Sequence, residues 1–382
     1  MTEIQTDQIQ FLVPNETGMS SLSGFTLEFE GSGEYALRFE FTRGKRTRNQ
    51  SHPMQTNEKS ESDVELHNLS LHNFSRDSVV ELSGAVSSIQ WSNTTLHSIT
   101  TEQVLKVPSR FSSPVNLERI DVDQLVTNCF LCSDSPSVLS VQVSTSSFRH
   151  ILPFSSKEST YPGDALWSFT HPENNATLCF TSVLFEEIYA RENMVFMKIV
   201  THWFLPLVGI AANPSIATID SCNFTTISLS SQPAIFVADG QRLEIIDSTF
   251  IQCNATLLMT YRVPSIVIHS STFENNTAPS VGISVSESAI EMSQVTWSFN
   301  RAESGENAFG KISAGSTALV HQFAASGNRG YQGGVFYLEA SQLTLQDSEM
   351  NDNQAKSGGA LYMATGTEAL ISNTTVRFIP FG

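Results

Sequence analysis

The sequence predicts an all-β protein that folds as a right-handed parallel β-helix of about twelve coils. Three observations carry this prediction. A phrase of alternating apolar residues, a bend and a large apolar residue recurs at steps of 23 to 28 residues between Phe224 and Val376. Charged residues make up only 15% of the chain, so Ser, Thr and Asn supply the polarity, and no sustained helical periodicity is present. Two glycine pairs, Gly333-Gly334 and Gly358-Gly359, lie 25 residues apart, which is one repeat length.

Each copy of the repeat ends in a large apolar residue, which we call the anchor. The predicted anchors are Phe74, Leu96, Leu125, Phe148, Phe185, Phe224, Phe250, Phe273, Trp297, Ala325, Met350 and Val376. Three residues before the anchor, ten copies carry a Ser, Thr, Asp, Asn or Gln. Such side chains hydrogen-bond to nearby backbone and hold a bend between two strands. Only the copies anchored at Phe74 and Leu125 break this rule, with Leu71 and Val122 at the bend.

A single repeat cannot bury its apolar face, whereas stacked repeats bury it continuously. Three short strands with their turns take about 22 to 28 residues, which matches the repeat. Parallel crossovers of this kind are right-handed in nearly all proteins, which sets the expected hand.

The two ends of the chain differ from its middle. Residues 24–44 alternate around Gly31-Ser32-Gly33, which predicts a β-hairpin that caps the first coil. We therefore assign residues 1–60 to this cap and a polar loop, and residues 61–382 to the repeat domain, with the clearest repeats over 215–376. The chain stops inside a coil without a polar cap, so we expect it to be truncated, to continue into further repeats or to dock onto another domain.

Two kinds of tetrad mark the last coils. Phe273-Glu-Asn-Asn276 is an FxxN tetrad, and Gly358-Gly-Ala-Leu361 is a GGA[ILV] tetrad. These tetrads resemble the polymorphic outer membrane protein repeat family over roughly 265–376, and the upstream part resembles pectin-lyase-like β-helices more generally. The structural repeat residues that this pattern indicates are Phe273, Asn276, Trp297, Asn300, Asn328, Gly333, Gly334, Met350, Asn353, Gly358 and Gly359. The resemblance implies a surface-exposed or secreted helix, with adhesion as its role.

Charge and cysteine content restrict the partners. A net charge of −17 argues against nucleic acid, which needs a basic surface. The five cysteines include one lone CxxC, Cys129 to Cys132, which favours at most a local disulfide over a zinc site. The nine histidines are dispersed without a ligand-like spacing, so we expect no metal and no cofactor.

Asn-x-Ser/Thr sequons are more frequent than the composition alone would give. They include Asn15, Asn68, Asn73, Asn93, Asn175, Asn223, Asn254, Asn275 and Asn373. These candidate N-glycosylation sites indicate an extracellular or cell-surface protein, although the N-terminus shows no signal peptide. An apolar stretch over residues 194–212 has the length of a membrane span, but Lys198, His202 and Pro206 interrupt it. We expect buried strands there, and a transmembrane helix is the alternative.

The chain lacks the constellations of β-helix enzymes that resemble pectate lyase or polygalacturonase. It has no Asp-Asp pair, no GHG and no RIK-like triplet, so we assign no catalytic residue. The acidic pairs Asp121/Asp123 and Glu186/Glu187, the latter near Arg191, are interpreted as solvated faces of an acidic protein.

Two functions follow. The first is a non-enzymatic structural or adhesive module that binds a protein or glycan along its stacked face. The alternative is a polysaccharide lyase or glycoside hydrolase, which requires three or more carboxylates, or carboxylates with Arg or Lys, to converge in one groove of the folded chain.

Overall fold

The computed structural model describes residues 2–5, 9–14, 20–23, 25–28, 35–42, 62–83, 86–107, 114–133, 139–152, 165–169, 176–190, 195–200, 216–303 and 308–377. These residues form β-strands and turns, and the assigned strand pairs are parallel, with partners one coil apart. The predicted all-β parallel β-helix is therefore confirmed.

Five strands precede the first copy of the repeat: β1 (Thr2–Gln5), β2 (Ile9–Pro14), β3 (Ser20–Ser23), β4 (Phe25–Glu28) and β5 (Tyr35–Thr42). The next five coils comprise β6 (Ser62–His67), β7 (Ser70–Ser83), β8 (Val86–Lys106), β9 (Pro114–Cys129), β10 (Leu131–Ser133), β11 (Leu139–Ser144), β12 (Ser147–Leu152), β13 (Ala165–Phe169), β14 (Ala176–Thr181), β15 (Leu184–Ala190) and β16 (Val195–Val200).

Shorter strands build the remaining coils. They are β17 (Ile216–Asp220), β18 (Asn223–Thr225), β19 (Ser228–Ala238), β20 (Arg242–Ile246), β21 (Thr249–Ile251), β22 (Asn254–Tyr261), β23 (Ile266–His269), β24 (Thr272–Glu274), β25 (Thr277–Ala278), β26 (Ile283–Ser286), β27 (Ala289–Ser293), β28 (Thr296–Ser298), β29 (Arg301–Ala302), β30 (Gly310–Ser313), β31 (Thr317–His321), β32 (Ala324–Ser326), β33 (Arg329–Gln332), β34 (Phe336–Glu339), β35 (Gln342–Gln346), β36 (Glu349–Asn351), β37 (Gln354–Ser357), β38 (Leu361–Met363), β39 (Glu368–Ser372) and β40 (Thr375–Arg377).

One coil shows the plan of all of them. β20 forms the first face, β21 the second and β22 the third. Single residues with positive φ turn the chain at the first corner (Asp247, φ 47°), the second corner (Gln252, φ 55°) and the third corner (Arg262, φ 52°). Each corner residue is in the left-handed region, which turns the chain from one face of the coil to the next within one residue.

The first corner is the bend that the sequence predicts. Its column of positive-φ residues is Asn68, Asn93, Arg119, Thr145, Ser182, Ser221, Asp247, Ser270, Gln294, Gln322, Asp347 and Asn373. All of them are polar, because a side chain that hydrogen-bonds locally or to solvent tolerates the left-handed conformation best.

Two predicted anchors are wrong by three residues. Leu71 pairs in register with Leu96, and Leu96 pairs with Val122, so Leu71 and Val122 are the anchors of their coils. Phe74 and Leu125 lie three residues further along the same strands, where both pair with Ile99. Their coils therefore carry Asn68 and Arg119 at the bend. Either of two apolar residues that lie three positions apart satisfies the sequence pattern of an anchor. The strand pairing between coils shows which of the two is the anchor.

The anchors form the centre of the core. The rings of Phe148, Phe185, Phe224, Phe250 and Phe273 stack from coil to coil with centroid distances between 4.5 and 5.4 Å. Trp297 continues the column edge-on to Phe273 at 6.1 Å. These side chains are fully buried, and burial of each aromatic ring contributes about 1.5–3 kcal/mol of transfer free energy. The core is one continuous stack, which ties neighbouring coils together.

The predicted hairpin in residues 24–44 is a second correction. β4 pairs in parallel with β1 and β7, and β5 pairs in parallel with β2 and β7. These two strands stack onto the following coils instead of pairing with each other. Strands upstream of the predicted first coil thus also stack, so the coil count differs slightly from the predicted one.

Residues 194–212 are described only in part. β16 covers Val195–Val200 and pairs in parallel with β13 and β19, as a strand of the third face. The remainder of this stretch, with His202 and Pro206, lies outside the described residues. None of the residues that the structure describes form a helix long and apolar enough to cross a membrane.

Candidate functional site

The asparagines of the FxxN tetrads form a buried ladder just after the second corner. Asn276, Asn300, Asn328 and Asn353 are completely buried and lie in one column. The Oδ1 of each accepts from the backbone N–H of the residue one coil earlier, at 2.9 to 3.1 Å. Each Nδ2 donates to the backbone oxygen of an earlier anchor, at 2.8 to 3.0 Å. The ladder satisfies backbone groups that the corner takes out of the strand pairing, so its role is structural.

The two glycine pairs also have a structural role. Gly333 and Gly358 have φ of +78° and +67°, in the left-handed region. A Cβ at Gly334 would lie 2.1 Å from the backbone oxygen of Gly359, and the N–H of Gly334 donates to that oxygen at 2.9 Å. Glycine at these positions permits a tight turn and a close approach between coils.

The acidic pairs meet on one surface of the early coils. The register places Asp123 between His97 and Arg149, and Arg149 beside Glu186. We call Asp121, Asp123, Glu186, Glu187, His97, Arg149 and His150 the charged cluster. Four carboxylates and an arginine converge here, but on a solvent-exposed face and outside the groove described below, so the condition of the enzyme alternative is met only in part. Arg191 lies outside the described residues.

Ion pairs connect the members of the charged cluster. Nδ1 of His150 lies 2.6 Å from Oδ1 of Asp123, and its Nε2 lies 2.9 Å from Oε2 of Glu187. Nδ1 of His97 approaches the other oxygen of Asp123 at 3.2 Å. A second pair joins Arg149 to Asp121 at 3.0 Å. Three of the carboxylates therefore already have a basic partner in this structure.

The pKa shifts in the cluster follow from these pairs. The hydrogen bond to Asp123 raises the pKa of His150 above its usual value, against a small opposing effect of burial, and Glu187 adds to the rise. Partial burial disfavours ionisation of Asp123, but the hydrogen bond from His150 and the nearby positive charges lower its pKa overall. An ionised Asp123 accepts a proton poorly at neutral pH and has none to donate. Asp123 thus lacks the raised carboxyl pKa that a general acid needs.

A polar groove runs along the first corner of the last four coils. Its volume is about 680 Å³, within the usual range of ligand sites. It is lined by Gln294, Thr296, Gln322, Phe323, Ala324, Asp347, Ser348, Glu349, Asn373, Thr375 and Arg377. Ala324 makes the hollow, because it is in register with the larger Thr296 and Glu349 of the neighbouring coils. The groove presents amides, hydroxyls, two carboxylates and a guanidinium, so it offers donors and acceptors for a hydroxyl-rich ligand.

The sequon asparagines lie on the outside. Of the candidate sites named above, the structure describes the side chains of Asn68, Asn93, Asn223, Asn254, Asn275 and Asn373, and all six are exposed. Asn68, Asn93 and Asn373 occupy the first corner, and Asn275 occupies the second. Asn15, Asn73 and Asn175 have side chains outside the described set.

Among the cysteines whose side chains the structure describes, one is disulfide-bonded and three are free. Cys129 is disulfide-bonded, and Cys179, Cys222 and Cys253 are free. Burial raises the pKa of the Cys222 and Cys253 thiols to about 12, so both are unreactive apolar residues. Within the described part of the chain, no three His, Cys, Asp or Glu side chains are placed to hold a metal ion.

Comparisons with known proteins identify no family. No protein-family model matches the chain, and no curated protein matches it. Among solved structures, the A-module of the Azotobacter vinelandii mannuronan C-5 epimerase AlgE4 aligns over 100% of this chain and 89% of that one, with 9% identity and a TM-score of 0.33. This likeness is too weak to transfer a function. The resemblance to the polymorphic outer membrane protein repeat stays a prediction.

The sequence alone missed the groove and the basic members of the charged cluster. Arg149 lies 28 residues from Asp121, and Glu349 lies 53 residues from Thr296. The repeat spacing contained the signal, because adding one coil length to Asp123 leads to Arg149. Without the correct anchor for each early coil, however, the columns could not be aligned.

Proposed function

We propose that this protein is a non-enzymatic extracellular or cell-surface β-helix that binds a glycan or protein partner along its stacked surface. The observation that carries the proposal is the polar groove at the first corner. A rigid stack of coils holds its amides and carboxylates at fixed spacing, so little conformational entropy is lost on binding. The mixture of donors and acceptors suits the hydroxyl groups of a sugar chain.

Two further observations support a secretory route. Every sequon asparagine whose side chain is described is exposed, which is the accessibility that N-glycosylation needs. The disulfide at Cys129 fits an oxidising compartment. The family resemblance in residues 265–376 agrees with both, since members of that repeat family are displayed on cell surfaces or secreted.

The test is a binding screen with a variant that fills the groove. Ala324→Phe places a ring on the groove floor, where the native side chain is exposed, and should weaken binding to the best ligand of a glycan array at least tenfold, roughly 1.4 kcal/mol. Thr272→Phe is the matched control, because it adds a ring to the same column two coils earlier, outside the groove. Equal binding by both variants, or no binding by the wild-type protein, contradicts the proposal.

The charged cluster favours a second candidate, an enzyme that acts on an acidic polysaccharide. Its motivation is the convergence of four carboxylates with Arg149 and His150. In such an enzyme Arg149 would bind a substrate carboxylate and His150 would transfer a proton. Incubation of the wild-type protein and His150→Gln with pectate and alginate decides the matter. Product formation by the wild-type protein alone would establish the enzyme, and no product from either protein excludes it for these substrates.

A further inference from the structure

An exposed aromatic residue occupies a strained position at the second corner. Phe299 has φ of 55°, and 61% of it is exposed to solvent. Among the described non-glycine residues with positive φ it is the only large apolar one, since the others are polar, charged or alanine. A bulky side chain in the left-handed region costs about 1–2 kcal/mol. Exposure of the ring adds no core packing that would offset this cost.

The next coil is shaped to receive the Phe299 ring. Gly327 occupies the same corner one coil later, and a Cβ there would lie 2.7 Å from Cδ1 of Phe299. The ring therefore lies across the backbone of Gly327, with much of its surface open to solvent. A ring held in this way is a flat platform that needs little ordering when a ligand binds.

Basic residues flank the platform. Arg301 and Arg329 follow Phe299 and Gly327 by two residues, and they pair in register on the third face. Both are exposed. Stacked strands lie about 4.8 Å apart, so two like charges here repel each other in the absence of an anion. Neither guanidinium makes an ion pair among the residues that the structure describes.

A second aromatic and a third cation lie beside them. Tyr331 is 44% exposed, and Nζ of Lys356 donates to its hydroxyl at 2.8 Å and lies 4.8 Å from its ring centroid. Glu303 is the nearest carboxylate along the chain, and the structure gives it no ion pair with these cations. Asp352 occupies the second corner one coil after Gly327 and lies at the edge of this group of aromatic and basic residues.

We propose that Phe299, Arg301, Arg329, Tyr331 and Lys356 form a binding site for an anionic sugar chain. The aromatic faces would contact the apolar faces of the sugar rings, and the guanidinium groups would bind carboxylate or sulfate groups in a bidentate manner. The spacing between the two arginines is about that of successive sugar units along a chain. A concentration of cations in a protein of net charge −17 indicates a local anionic ligand. The same net charge disfavours a long polyphosphate.

The site lies at the second corner and the third face, whereas the proposed groove lies at the first corner. The inference therefore goes beyond the groove and has its own test. Ala324→Phe leaves the site intact, so loss of groove binding and loss of binding here are separable.

The experiment is calorimetric titration of the protein, at physiological ionic strength, with a heparin oligosaccharide, an oligogalacturonate, a neutral cello-oligosaccharide and a single-stranded oligonucleotide. We expect one or both anionic sugars to bind, the neutral sugar not to bind, and the oligonucleotide to bind at least tenfold more weakly. The two anionic sugars distinguish sulfate from carboxylate recognition. Absence of binding by both, or equal binding of the oligonucleotide, overturns the proposal.

Variants then locate the site. Arg301→Gln with Arg329→Gln should weaken binding at least tenfold, and Phe299→Ser should weaken it without any change in charge. Arg242→Gln with Arg262→Gln is the matched control, because it removes two arginines that already pair with Glu244 and Asp239. Equal losses in the test and control pairs would show a nonspecific charge effect and overturn the site. Lys356→Gln gives an independent reading if the double variant does not fold.

Discussion

Asn276 and Asn300 lie one coil apart inside the second corner, and Nδ2 of Asn276 donates to Oδ1 of Asn300 at 2.9 Å. The same oxygen also accepts from the backbone N–H of Asn276 at 3.1 Å. The side-chain oxygen of Asn300 therefore accepts from both the backbone N–H and the side-chain amide of Asn276 and so connects the two coils. Repetition of this contact fixes the register of the last coils.

Removal of one amide should destabilise the stack. Asn300→Ala leaves the N–H of Asn276 and the carbonyl of Phe273 without their partners in a dry interior, which should cost about 2–4 kcal/mol. The midpoint of urea unfolding measures this loss. Asn275→Gly is the control, since this neighbour is exposed and glycine adopts its positive φ freely. Similar midpoints for both variants would contradict the role of the ladder.

The close approach at the glycine pairs predicts a steric effect. Gly334→Ala places a methyl group 2.1 Å from the oxygen of Gly359, so the coils must separate and the melting temperature should fall strongly. Gly315→Ala is the comparison. Gly315 has φ of +78° but no atom within 4 Å of a new Cβ, so only the backbone strain of about 1 kcal/mol applies. A larger loss at Gly315 than at Gly334 would show that conformation, not close contact, selects glycine.

The charged cluster predicts a dependence of stability on pH. His150 is surrounded by Asp123, Glu186 and Glu187, and its pKa is raised in the folded chain. The stabilisation is therefore fully present below the unfolded pKa of about 6.5 and is lost as the pH rises through the higher folded value. The melting temperature of the wild-type protein should fall relative to that of His150→Gln as the pH rises above about 6.5.

A second histidine controls for the general effect of pH. His321 lies 3.8 Å from Glu291, a longer contact than those of His150. His321→Gln should therefore retain the wild-type dependence on pH. If His150→Gln also retains it, the pairs of His150 do not contribute to stability.

Exposure of the sequons predicts glycosylation in a secretory host. Asn275 belongs to a sequon and is exposed at the second corner. Glycopeptide mass spectrometry of the secreted protein should find a glycan at Asn275 that Asn275→Gln removes. Full secretion without any glycan at the exposed sequons would contradict the secretory part of the proposed function.

Local sequence was sufficient for the fold class. The polar bend and the anchor lie three residues apart, so one coil contains the whole signal, and Asp247 with Phe250 illustrates it. Features that depend on strand pairing between coils could not be predicted from local sequence. Phe74 and Leu71 both satisfy the local pattern, and the hairpin in residues 24–44 has the alternation that stacked strands also need.

The candidate sites depend on neighbours in different coils. Asp123 was visible as a member of an acidic pair, but its partners His97 and His150 lie 26 and 27 residues away. The sequence around Phe299 did not predict a binding site. The position of its ring depends on Gly327 in the next coil, where a side chain would collide with it. Such contacts can be predicted only after every column has been aligned.

The central claim is that this β-helix binds sugar chains without changing them. The most direct measurement is mass spectrometry of heparin and galacturonate oligosaccharides after prolonged incubation with the protein, on samples in which calorimetry shows binding. We predict that bound oligosaccharides are recovered with unchanged mass, and that Arg301→Gln with Arg329→Gln weakens their binding at least tenfold. Shortened or unsaturated oligosaccharides that disappear with His150→Gln would contradict the account and establish the charged cluster as an active site.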